Sequence, residues 1–208
     1  RQPAPPRGPG EAERLAEACE TGQVPSCEPA AVLYRDGEGF EPDAERALIY
    51  FEFACSSGVA SACGAGVPLV SGDGPAERAR RARLELGVCL GGGGDPDACA
   101  RVIVLLEGAE TEPALELAAR AAIRGCELGR AGSCAAMGAA LMRGRGVRQD
   151  RERATEVYAR VCSSTASEGC EGLGALCRQG VLSACESLGG ACQGGGSGAC
   201  ERIPGGAQ

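Results

Sequence analysis

Fourteen cysteines are the residues of this 208-residue chain best equipped to do chemistry. They fall into seven pairs. Six have seven residues between their members: Cys19/Cys27, Cys55/Cys63, Cys126/Cys134, Cys162/Cys170, Cys177/Cys185 and Cys192/Cys200; the seventh, Cys89/Cys99, is looser. A thiol can ligate a metal, exchange electrons or close a crosslink, and spacing discriminates among the three. Redox-active pairs are normally Cys-x-x-Cys, and zinc pairs have two to four intervening residues. Seven intervening residues fit neither, and the chain has no histidine with which to complete a tetrahedral site. The spacing reads as structural disulfides, one per pair. Complete pairing at this density points to an oxidising compartment: periplasm, cell surface or medium.

The other chemistries are short of residues. There is no lysine, so a Ser-x-x-Lys nucleophile cannot be built, and without histidine neither can a Ser-His-Asp triad. The chain carries 28 carboxylates, but nothing in the pattern singles out an acid–base pair. Met137 and Met142 read as core residues of a helix and not as ligands. The glycine runs at 91–94 and 194–196 lie inside cysteine loops, not between a strand and a helix, so they are no phosphate loop. No cofactor and no metal is expected. A net charge of −7 argues against a nucleic-acid surface. One local cationic cluster, Arg143, Arg145, Arg148, Arg151 and Arg153, surrounds a single turn; it reads first as a solvated turn and second as a docking point for an acidic partner.

The elements that position these residues repeat. Cys19, Cys55, Cys89, Cys126 and Cys162 are spaced 36, 34, 37 and 36 residues apart, and periods of that size mark solenoids. Two intervals are equal in length and match in kind along their course: Cys27–Cys55 and Cys134–Cys162. Tyr34 matches Leu141, Gly37 and Gly39 match Gly144 and Gly146, and Phe40 matches Val147. Each unit predicts a helix of about ten residues from the second cysteine of a pair, stopped by Gly-x-Gly, because glycine tolerates a left-handed helix end. Asp43 and Asp150 stand where the next helix needs an N-cap. That helix carries Ala47, Phe51, Cys55 or Ala154, Tyr158, Cys162 at i, i+4, i+8, a buried stripe. With only 3% aromatic residues, the core is expected to be thin and built from small side chains.

The pattern of Cys134, Met137, Gly138, Gly144, Gly146, Val147, Asp150, Ala154, Tyr158 and Cys162 resembles Sel1-like repeats. Within those it is most similar to the cysteine-rich kind in the Helicobacter cysteine-rich proteins, where each unit carries one disulfide. The Cys27–Cys55 unit matches nearly as well, with Ala31 in place of the inner glycine; by spacing the likeness runs over roughly residues 11–200. It departs in the middle: the Cys63–Cys89 unit is short, with Gly72 and Gly74 displaced, and the Cys99–Cys126 unit keeps an alanine stripe without Gly-x-Gly. The resemblance implies an all-α, right-handed α-α solenoid of antiparallel helix pairs of the Sel1/tetratricopeptide kind, stapled by disulfides. It also implies a weak β-lactamase-like hydrolase or a peptidoglycan or β-lactam binder as one functional alternative.

Residues 1–10, rich in proline and glycine, read as a linker; 11–200 as the repeat array, with two-helix units to about 170; and 201–208 as a tail. Between 170 and 200 the cysteines leave room only for two-turn helices. Residues seven apart on a helix are separated by about 10.5 Å of rise, beyond the roughly 7 Å that a disulfide spans between Cα atoms, so Cys170 pairs across its loop and not with Cys177. The start at Arg1 reads as a processed or trimmed product, and absent lysine and asparagine amid abundant alanine, glycine and arginine read as a GC-rich bacterial genome. The longest apolar run, Val102–Leu106, is too short to span a membrane. The functional expectation is a non-enzymatic, exported scaffold that binds a protein or peptide along its extended surface. A subunit of a larger surface assembly is the alternative suggested by the missing C-terminal capping helix.

Overall fold

The computed structural model describes residues 8–37, 39–162 and 167–194, and the regular elements among them are all helical. The chain divides into two compact units at the Gly94–Asp95 boundary. The division falls where the Gly91–Gly94 run replaces the standard seven-residue cysteine loop.

The first unit runs α1 (Pro9–Glu20), α2 (Cys27–Asp36), α3 (Ala44–Ser56), α4 (Ala60–Gly66) and α5 (Pro75–Leu90), each packed on the next. α1 begins inside the stretch read as a linker, because Pro9 occupies the first helical turn, where its missing N–H costs nothing. Residues 1–7 lie outside the described residues. α2 stops at Gly37, left-handed at φ 65°, whose N–H returns to the Leu33 carbonyl. A Cβ there would lie 2.6 Å from the Pro42 ring, so the joint admits glycine alone. The Asp43 N–H donates to the Tyr34 carbonyl (2.8 Å), while its carboxylate accepts from the Arg46 N–H (2.9 Å) and caps α3. The core is as small-grained as the composition suggests: Ala12, Ala30, Ala31, Ala47, Ala54 and Ala62 are fully buried around Phe51 and Leu33. Tyr34 and Tyr50 stack at 5.6 Å beside it, and the Tyr50 hydroxyl donates to Glu20 Oε1 at 2.7 Å. Burial first, and that bond second, push the Tyr50 phenol up to about 12. The short Cys63–Cys89 repeat is a real, degenerate helix pair: α4 has seven residues and runs on into a 3-10 turn, Val67–Leu69.

The second unit holds α6 (Pro96–Leu105), α7 (Glu112–Glu127), α8 (Ala131–Arg143), α9 (Arg151–Cys162), α10 (Ser167–Arg178) and α11 (Leu182–Gln193). The α8–α9 joint repeats the α2–α3 joint in chemistry. Gly144 and Gly146 are left-handed, the Asp150 N–H donates to the Leu141 carbonyl (2.9 Å), and the Asp150 carboxylate accepts from the Arg153 N–H (2.9 Å). Between α6 and α7, where Gly-x-Gly is missing, Gly108 alone supplies a positive φ, 76°. α10 and α11 are twelve residues each, longer than the two turns read from the cysteine spacing. They run past their cysteines at both ends, and α11 packs on α9 as well as on α10, which gives short helices a tertiary reason to persist. The tail at 201–208 lies outside the described residues.

The bridges Cys19–Cys27, Cys55–Cys63, Cys126–Cys134, Cys162–Cys170 and Cys177–Cys185 each clamp the turn between consecutive helices, with Cα atoms 4.8, 4.7, 4.4, 4.6 and 4.7 Å apart. Cys89, Cys99 and Cys192 are also disulfide-bonded, and Cys200 lies outside the described residues. No described helix is long and apolar enough to cross a membrane.

Candidate functional site

Short joints make α9 antiparallel to both its neighbours in sequence, so α8 and α10 run side by side in the same direction with α9 behind them. What sets their separation is one ring. Tyr158 of α9 stands between Gly138 of α8 and Gly172 of α10: a Cβ on Gly138 would lie 2.6 Å from its Cε1, and one on Gly172 2.4 Å. Only glycine at both positions lets the two helices close on the phenol.

In front of the ring lies a groove of about 470 Å³. Gly132, Ala135, Ala136, Ala139 and Met142 recur at three- and four-residue spacing, so one face of α8 forms one wall. Glu168, Glu171, Gly172 and Ala175 form the other by the same rule on α10. Tyr158 is the base, and Arg143 closes one end. The volume falls within the range usual for ligand-binding clefts, roughly 300–1,000 Å³. Tyr158 is only 4% exposed, yet among the described residues its hydroxyl has no hydrogen-bond partner. Burial pushes its phenol above the ordinary range, opposed by the positive charge of Arg143. The ring is buried but its hydroxyl is not sealed from solvent: among the described residues, the side-chain atom both buried and without a partner is Ser133 Oγ. The open side of the Tyr158 hydroxyl is the groove.

The five arginines of the cluster have different surroundings in the fold. Arg143 joins the groove, whereas the Arg145 guanidinium donates to the Ala109 carbonyl at 2.7 Å and ties down the α6–α7 turn. Arg148, Arg151 and Arg153 are exposed and lie outside the groove lining, with the Arg153 backbone N–H spent on Asp150. Met137 is in the core and Met142 is half-buried on the groove wall. No group of three or more Cys, Asp or Glu placed to hold a metal ion occurs among the described residues. Sequence reasoning placed Tyr158 on the buried stripe and so passed over it as a site. The signal it had was glycine at both positions facing the ring, Gly138 and Gly172.

Fold and groove together define an all-helical repeat protein whose turns are stapled by disulfides. No protein-family model and no curated protein matches the sequence. Among solved structures, the chain is similar to a protective antigen of uropathogenic Escherichia coli strains described as displaying an SLR fold. The identity is 15%, over 92% of this chain and 43% of that one, at a TM-score of 0.48. It is also similar to a Sel1 repeat protein from Oxalobacter formigenes, at 16% identity over 91% of this chain and 87% of that one, with a TM-score of 0.39. The chain thus spans less than half the length of the antigen.

Proposed function

We propose that this chain is a non-enzymatic, exported repeat scaffold whose second unit binds an extended segment of a partner protein in the groove over Tyr158. One observation carries the reading: a buried ring whose hydroxyl opens on a small-walled cleft and has no hydrogen-bond partner among the described residues. Stacked helices present such clefts as a consequence of their geometry, and alanine and glycine walls let a main chain approach closely. The dense disulfides support an oxidising, extracytoplasmic setting.

Selection from a random peptide library on the oxidised protein tests it. Ala135 is half-buried on the groove wall, and an arginine there would reach across toward Glu168 and Glu171 and fill the cleft. Selected peptides are expected to bind the wild type and to lose binding to Ala135→Arg, with the circular dichroism of the variant unchanged. Peptides indifferent to Ala135→Arg would sink the groove as the binding surface.

A further inference from the structure

Because α8 and α10 run in the same direction, the groove's charges are sorted by end. Glu168 is in the first turn of α10 and Arg143 in the last turn of α8. Glu171 stands one turn beyond Glu168 and already has an interaction of its own, so Glu168 is the acid that faces the groove with least competition. From Gly132 to Arg143 the α8 wall rises by about 16 Å. Between the ends, Tyr158 presents a hydroxyl that has no hydrogen-bond partner among the described residues. An acid at a helix start and a cation at a helix end each stabilise their own helix, and that alone would account for Glu168 and Arg143. It does not account for the phenol, which is uncharged, stands one turn before the end of α9 and belongs to a residue only 4% exposed.

The geometry points to a bipolar peptide site, a reading that rests on the groove being the binding surface. The occupant is an extended partner segment that sets a cationic side chain beside Glu168 and a carboxylate beside Arg143. A main-chain carbonyl between them accepts from the Tyr158 hydroxyl. An extended chain running the length of the α8 wall covers roughly five residues at about 3.3 Å each, and that sets the spacing of its two charges. The intervening side chains are small, because the main chain must descend between the Ala136 and Gly172 walls to reach the hydroxyl. A polyanion such as a nucleic-acid strand is disfavoured by Glu168 and Glu171 at one end.

The test is isothermal titration of the full, oxidised chain with a terminally blocked hexapeptide. It carries Arg at one end, Glu at the other and Ala and Gly between; a control peptide has Gln in place of both charged residues. The charged peptide is expected to bind at least about tenfold more tightly than the control. Tyr158→Phe, which keeps the ring between its two glycines, is expected to weaken it by about tenfold. Arg143→Gln is expected to weaken the charged peptide similarly and to abolish the penalty of a Glu-to-Gln change in the peptide. Equal binding of both peptides, or indifference to Tyr158→Phe and Arg143→Gln, overturns the bipolar site. If library peptides still depend on Ala135, the groove itself survives that result; if none does, both readings fall together.

Discussion

Replacing Gly172 with alanine puts the architecture of the groove at risk through a single methyl group. The added Cβ would lie 2.4 Å from Tyr158 Cε1 and Cζ, over 1 Å inside the roughly 3.5 Å at which carbon atoms rest. The ring has little room to retreat, since on its other flank the same atoms face Gly138, where a Cβ would lie 2.6 Å away. Overpacking of this kind costs about 1–3 kcal/mol. Against it stands the better helix propensity of alanine, about 1 kcal/mol in a helix interior. The net expectation is a loss of about 1–2 kcal/mol. Gly189, inside α11, is the control: a Cβ there meets nothing within 4 Å, so Gly189→Ala is expected to gain up to about 1 kcal/mol. Urea unfolding followed by circular dichroism measures both as shifts of the midpoint at constant slope. In a Tyr158→Val background, where the clashing atoms are gone, the Gly172→Ala penalty should vanish. Gly172→Ala as stabilising as Gly189→Ala would refute the packing of Tyr158 between the two helices.

Three further outcomes follow from the joints and the first unit. Replacing Cys162 and Cys170 by serine opens a nine-residue loop and should cost about 2.6 kcal/mol by loop entropy, read by the same unfolding assay. Non-reduced peptide mapping should link Cys162 to Cys170 and Cys177 to Cys185, and a Cys170–Cys177 link would contradict the fold of the tail. Asp43→Ala and Asp150→Ala should each lose about 1 kcal/mol, with asparagine restoring most of it, because each carboxylate caps a helix through a 2.9 Å bond. For Tyr50, the folded pKa of about 12 lies above the unfolded value near 10. The stability it contributes is therefore complete below about pH 10 and lost as pH rises through about 12. Tyr50→Phe should flatten stability across that window, and tyrosinate absorbance should show one late-titrating phenol disappear.

The joints of the fold were legible because their chemistry is local. A left-handed glycine at Gly37 or Gly144 and a capping aspartate six residues on announce the end of one helix and the start of the next without reference to anything distant. The cysteine loops were legible for the same reason. The helix lengths in the tail were not, since the cysteines mark where chains cross and not where helices end; α10 starts before Cys170 and ends after Cys177. The groove was invisible along the chain. It depends on Gly138 and Gly172, from helices that are not consecutive, meeting one ring, and a stripe pattern assigns that ring to the core. The fate of the arginines was hidden in the same way: only the fold brings the Ala109 carbonyl to Arg145 and leaves Arg143 on the groove.

The central claim, that the cleft over Tyr158 is where this protein binds its partner, is tested most directly by methyl NMR of alanine-labelled protein titrated with a groove-selected peptide. The account predicts that the Ala135, Ala136, Ala139 and Ala175 methyls shift together and saturate with one affinity, and that the Ala136, Ala139 and Ala175 methyls stay silent in Ala135→Arg. Saturating shifts confined elsewhere, such as around the exposed Ile49 and Phe53 on α3, would contradict it.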